Sequence, residues 1–125
     1  MKKRDIFDEI IEYILSRPDE EFQNLNVDSI ARTYNISRSY LSYKFKLEKE
    51  QSLSNYILKV KIIRSSLLMY RDDNIKIESL STLMGFSRTD YFIKVFKKIM
   101  GLPPGRYQKI IKQLKSQNLL DKKKD

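Results

Sequence analysis

Neither cysteine nor histidine occurs among the 125 residues. The first absence excludes disulfides, thiolate-bound zinc and a thiol nucleophile. The second removes the commonest general base and metal ligand, so an enzyme is not expected and no cofactor or metal is assigned. Glycine and proline are scarce, three of each, which points to long helices joined by short links. No apolar run approaches the roughly 20 residues that a membrane span needs, and the first residues carry no visible secretory signal. Acidic side chains are scarce beyond the first stretch: residues 1–26 hold four basic and seven acidic residues, residues 27–125 twenty-one and nine. The net charge of +9 is therefore concentrated in the later part. Such a concentration points to a polyanion as partner, although charge alone fits a plain basic surface equally well.

The pattern that is present is helical throughout. Residues 5–16 read as an amphipathic helix with Ile6, Phe7, Ile10, Ile11, Ile14 and Leu15 inward and an acidic outer face that belongs away from phosphate. Arg17-Pro18 closes it, because the residue before proline avoids the α region. Residues 19–25 read as a polar connector. Asn26 is placed to cap a helix over 27–34, with Ile30 and Tyr34 inward and the small Ala31 permitting a close crossing. Asn35 then suits a left-handed turn, and Ser37 caps a helix to about Lys49 with Tyr40, Leu41 and Phe45 inward. Residues 52–71 read as one long helix of roughly 30 Å, with Leu53, Tyr56, Ile57, Val60, Leu67 and Leu68 for packing. It carries Lys59, Lys61, Arg64 and Arg71 and no acidic residue.

A loop at Asp72-Asp73-Asn74 leads to a second pair of short helical patterns that meet at Gly85-Phe86-Ser87. The first carries Ile77, Leu80, Leu83 and Met84 on one face. The second carries Tyr91, Phe92, Val95, Phe96 and Ile99. Gly85 can take positive φ at the junction, and Ser87 with Asp90 spells a capping box. Helix, tight turn and helix make a helix-turn-helix outline, and the outer side of its second helix offers Arg88, Thr89, Lys94, Lys97 and Lys98. Pro104 opens a last helix with Tyr107, Ile110, Ile111 and Leu114 as its apolar face. A basic tail over 116–125 ends in Lys122-Lys123-Lys124.

The two helix-turn-helix outlines form an internal repeat. Ile30-Ala31 matches Leu80-Ser81, and Asn35-Ile36-Ser37 matches Gly85-Phe86-Ser87, at an offset of 50. After the turn the offset is 51: Tyr40-Leu41 matches Tyr91-Phe92, Phe45-Lys46 matches Phe96-Lys97, and Tyr56 matches Tyr107. One residue is inserted in the second turn.

The residues Gly85-Phe86, Tyr91-Phe92, Phe96-Lys97, Gly101, Pro103-Pro104 and Tyr107 resemble the C-terminal signature of the AraC/XylS family of transcription regulators. The chain departs from that pattern at Gln108, where the family often has Arg, and in the first copy at Lys44 and Glu50. The resemblance implies an all-α fold of about seven helices, homeodomain-like, in two helix-turn-helix subdomains (1–51 and 72–115) joined by the 52–71 helix. It implies a sequence-specific regulator of double-stranded DNA, and the length of the 52–71 helix would set the two second helices in adjacent major grooves; the chain is expected to be cytoplasmic and, if stand-alone, a monomer on DNA. RNA polymerase is a second partner implied by the resemblance alone.

By the same resemblance, Ser39, Ser42 and Tyr43 meet base edges in the first unit, and Thr89, Asp90, Ile93 and Lys94 in the second. Lys94 suits guanine O6/N7. Tyr43 can lay its ring on a thymine methyl or simply pack. Asp90 can accept from cytosine but fits the cap better, and Ile93 can cover a thymine methyl or be merely exposed. Arg32, Arg38, Lys46, Arg88, Lys97, Lys98 and Arg106 are the expected phosphate contacts. Tyr40, Leu41, Phe45, Phe86, Tyr91, Phe92 and Phe96 are expected in the cores. A non-specific nucleic-acid binder would explain the charge but not the repeat. A helical protein–protein adaptor would not need two basic second helices. Family members often carry a ligand-binding or receiver domain before this region; these residues leave no room for one, so the chain is expected to be either a small stand-alone regulator or the DNA-binding end of a longer one.

Overall fold

The computed structural model describes residues 5–118, and every regular element among them is helical. Seven α-helices run α1 (Ile6–Ser16), α2 (Val27–Thr33), α3 (Arg38–Lys49), α4 (Leu53–Arg71), α5 (Ile77–Leu83), α6 (Thr89–Met100) and α7 (Pro104–Ser116), with a 3-10 helix over Asp19–Asn24. The chain divides into two compact units between Lys61 and Ile62, inside α4. The sequence reading for Lys122, Lys123 and Lys124 lies outside the described residues.

In the first unit Asp5 caps α1, its Oδ1 accepting from the Asp8 amide at 2.8 Å. Phe7, Ile10 and Ile14 form the buried stripe. Ile6 and Leu15, expected inward, are exposed, because at 3.6 residues per turn they fall on the flanks of that stripe. Arg17 closes the helix in an extended conformation before Pro18 and lays its guanidinium 4.2 Å from the Tyr13 ring. The expected polar connector is instead the 3-10 helix, and it contributes to the core. Phe22 and Leu25 are buried, three residues apart and so on one side of a three-residue turn. Asn26 and Ser29 exchange side-chain-to-backbone bonds at 2.9 and 3.0 Å, a full capping box for α2. Asn35 takes φ 53°, the Ile36 amide donates to the Ala31 carbonyl at 2.9 Å, and Ser37 Oγ accepts from the Tyr40 amide at 3.2 Å. Leu41 and Phe45 anchor α3, and the Phe45 ring stands between Phe7 and Tyr56. Lys49 Nζ donates to Asp8 Oδ1 at 2.6 Å and so ties the end of α3 to α1.

The second unit repeats the plan. Gly85 takes φ 84° and the Phe86 amide donates to the Ser81 carbonyl at 3.0 Å. Its core holds Ile62, Met69, Leu80, Phe92, Val95, Phe96 and Ile111. The rings of Phe86, Phe92, Phe96 and Tyr107 follow one another at 5.1, 5.9 and 5.6 Å. Gln108, the departure noted in the sequence, donates through Nε2 to the Ile75 carbonyl at 2.6 Å and holds the loop before α5. Lys115 donates to the Tyr70 carbonyl and reaches Asp73. Within α4, Leu67 is exposed, whereas Ile62 and Met69 are buried. Lys61, one of the four cations of α4, is buried as well, and desolvation pushes its pKa down to about 8.

Candidate nucleic-acid interface

The second helix of each unit keeps one side in the core and turns the other to solvent. In α3 the buried anchors are Leu41 and Phe45; in α6 they are Phe92, Val95 and Phe96. Opposite them, Ser39, Ser42, Tyr43 and Lys46 share one face of α3 at the helical spacing i, i+3, i+4, i+7. Asp90, Ile93, Lys94 and Lys97 occupy the same four positions of α6 at an offset of 51. Within each group the side chains are exposed apart from Ser42, which is half-buried. Lys98 extends the α6 face. Thr89 stands half-buried at its edge, in the first turn. Arg32, in the last turn of α2, and Arg106, in the first turn of α7, are exposed within their own units.

Two of the expected phosphate ligands are held by carboxylates. Arg38 Nη1 donates to both oxygens of Asp28 at 2.8 Å. Arg88 grips Asp90 with two bonds, Nε to Oδ1 at 3.1 Å and Nη2 to Oδ2 at 2.6 Å, and this pairing holds the Asp90 carboxyl below its ordinary range. The expected capping box of Ser87 with Asp90 is therefore not formed. The residue before α6 is Arg88, its side chain makes no capping bond, and Asp90 turns to it rather than back along the chain. The same geometry locates the inserted residue. The turn bonds at Ile36 and Phe86 keep the offset of 50, whereas the residues before α3 and α6, Ser37 and Arg88, are 51 apart. Ser87 is the insertion, not the counterpart of Ser37.

Two tyrosines expected in the cores lie at the surface, Tyr40 at 52% and Tyr91 at 49% exposure. Tyr91 rests one side of its ring on Phe86, 5.9 Å between centroids. Leu47, not singled out in the sequence, is 59% exposed on the same side of α3 as Tyr43, which is 67% exposed. The repeat carried the signal for Leu47: its counterpart at the offset of 51 is Lys98.

A family model described as a helix-turn-helix domain matches residues 30–110, from the middle of α2 through α3 and the whole second helix pair into α7. The chain belongs to the AraC-type helix-turn-helix family of transcription regulators. Among curated relatives, it is similar to the Msm operon regulatory protein of Streptococcus mutans, 36% identical over 88 residues, 70% of this chain and 31% of that one. It spans about a third to a half of the length of the curated relatives it matches first. Two solved structures share the AraC-type fold. One is the C-terminal domain of the response regulator AraT from Geobacillus stearothermophilus, 24% identical, TM-score 0.72, 88% of each chain covered. The other is the DNA-binding domain of AdpA in complex with a target DNA, 13% identical, TM-score 0.71, covering 91% of this chain and 99% of that one. Among the described residues of this AraC-type chain no helix is long and apolar enough to cross a membrane.

Proposed function

We propose that the chain binds double-stranded DNA sequence-specifically, as a monomer, with α3 and α6 each lying in a major groove. The observation that carries this reading is the recurrence of one geometry in both units. An αL turn at Asn35 or Gly85 sets a second helix whose outward i, i+3, i+4, i+7 face is open to a ligand. Ser39, Ser42 and Tyr43 then face bases in one box, and Asp90, Ile93 and Lys94 in the other with Thr89 at the rim. Lys94 reads guanine as a cation at O6/N7. Arg32, Lys46, Lys97, Lys98 and Arg106 meet phosphate, and Arg38 and Arg88 join them by exchanging Asp28 and Asp90 for the backbone.

The subdomains are 1–51 and 72–115, with 52–71 as the connecting helix. At 1.5 Å per residue the 19 residues of α4 extend about 28 Å, close to the roughly 34 Å that separates successive major-groove faces. The two faces differ in sequence, so the site is two unlike boxes about 10 bp apart rather than a palindrome. The protein works in the cytoplasm, touches RNA polymerase as a regulator and performs no catalysis. The test is selection of sites from a random duplex library at two salt concentrations. An asymmetric two-box motif is expected; salt-sensitive binding with no enriched sequence would overturn the reading.

A further inference from the structure

The outward faces of α3 and α6 share one register and differ in chemistry. Position for position, Ser39, Ser42, Tyr43 and Leu47 in α3 stand where Asp90, Ile93, Lys94 and Lys98 stand in α6. A base is told apart by a forked donor or acceptor pair, by a cation on guanine, by a carboxylate on cytosine, or by apolar contact with the thymine C5-methyl. The α3 face has no amide, no carboxylate and no unpaired guanidinium, since Arg38 is held on Asp28. The hydroxyls of Ser39 and Ser42 both donate and accept, and so suit any base edge. The one cation, Lys46, shares its position with Lys97 in α6, both assigned above to phosphate. What remains to discriminate is apolar. Tyr40, Tyr43 and Leu47, at i, i+3 and i+7, form a stripe in which each side chain is more than half exposed.

We infer that the box met by α3 is thymine-rich and is recognised through C5-methyl groups, whereas the box met by α6 is recognised through charge. This rests on the proposed seating of α3 in a major groove and adds which feature of the bases it reads. Tyr43, nearest the middle of the helix, covers one methyl with its ring. Leu47 and Tyr40 extend the apolar contact to neighbouring thymines and their sugars. The stripe is a liability in water and becomes favourable only when a complementary apolar surface covers it. Thymine methyls are the apolar groups that a major groove offers.

The test replaces thymine by deoxyuridine, which removes only the methyl, in one box of the selected duplex at a time. In the α3 box each contacted methyl lost should weaken binding roughly fourfold, the equivalent of about 0.8 kcal/mol for one methyl-sized group. The same exchange in the α6 box should weaken binding at most at the one thymine that faces Ile93, and Ile93→Ala should remove that effect while leaving the α3 box untouched. Lys94→Ala, which relaxes the α6 box, identifies which box is which. Leu47→Ala and Tyr43→Ala should abolish the deoxyuridine effect in the α3 box, and Tyr43→Phe should preserve it. All four positions are exposed, and circular dichroism checks that the variants keep their helices. Specific binding that is indifferent to deoxyuridine in both boxes would overturn the inference and leave the proposed function standing. Failure to enrich any sequence from the unmodified library would overturn both.

Discussion

Ser81 occupies in the second unit the place that Ala31 occupies in the first, and its hydroxyl is buried without a hydrogen-bond partner. Each contributes the carbonyl that accepts the turn amide, so the backbone role is the same in both. The hydroxyl adds nothing to that role and has lost its hydration. An uncompensated buried hydroxyl costs about 1–3 kcal/mol. Ser81→Ala should therefore stabilise the chain by about 1 kcal/mol, seen as a higher urea midpoint with an unchanged slope. A lower midpoint would mean that the hydroxyl bonds to something.

Glu50 and Gly101 end α3 and α6 in the same left-handed conformation, at φ 59° and 89°. Opposite exchanges should act in opposite directions. Glu50→Gly relieves an αL cost of roughly 1–2 kcal/mol, partly offset by glycine entropy of roughly 0.5–1 kcal/mol, for a net gain of about 0.5 kcal/mol. Gly101→Ala should lose about 1 kcal/mol, and by conformation alone, because no atom lies within 4 Å of the added Cβ. Thermal melts of both variants check the pair of signs.

Asp28 pairs with Arg38 at 2.8 Å, and Arg38 is one of the cations proposed to meet phosphate. Both side chains are more than half exposed, so Asp28→Asn should change stability by less than about 1 kcal/mol. It should raise affinity, because Arg38 no longer has to leave a carboxylate to reach phosphate. Arg38→Ala should flatten the slope of log affinity against log salt by about 0.9. Titrations at several salt concentrations measure this, and an unchanged slope would keep Arg38 off the backbone.

Lys94 and Lys97 are neighbours on α6 with different assignments. Lys94→Ala should cost roughly 1–3 kcal/mol on the selected site and blur one box. Lys97→Ala should weaken selected and random duplexes alike and reduce the salt slope by about 1. Competition binding against both duplexes separates the two outcomes.

The Lys49 hydrogen bond holds the Asp8 carboxyl below its ordinary value of 3.8. A depressed folded pKa contributes stability that is present above the unfolded value and lost as pH falls through the folded one. The Lys49 ammonium is raised above 10.5 by the same contact, so at the alkaline end the contribution is lost only as pH rises through that raised value. Wild type should lose more stability than Asp8→Asn on acidification below about pH 4. Denaturant midpoints measured from pH 6 to 2.5 give the comparison.

Much of this fold was legible because short-range chemistry decides it. Asn26 and Ser37 cap where a side-chain oxygen precedes an apolar repeat, Asn35 and Gly85 accept positive φ, and Pro104 opens α7. The misreadings arose where a residue had two satisfactory partners. Asp90 could cap a backbone or clasp Arg88, and a two-residue separation brings the guanidinium within reach of both its oxygens. Phe22 and Leu25 are only two apolar residues among acids, too few to show a period, so their burial depends on the α1 and α2 cores around them. Tyr40 and Tyr91 read as core by residue type, but they sit on helix flanks where a ring is half covered. At the candidate interface the outward register shared by α3 and α6 was legible from the repeat, while the contact positions on it came from the family resemblance. The apolar character of the α3 face was not legible, because Leu47 has a hydrophobic side chain that sequence patterning assigns inward by default.

Both second helices of this AraC-type chain are proposed to engage one duplex, and hydroxyl-radical footprinting on the selected site can show whether they do. Two protected stretches about 10 bp apart are predicted, with Lys94→Ala weakening one and Tyr43→Ala the other. A single protected stretch, lost with either variant, would contradict it.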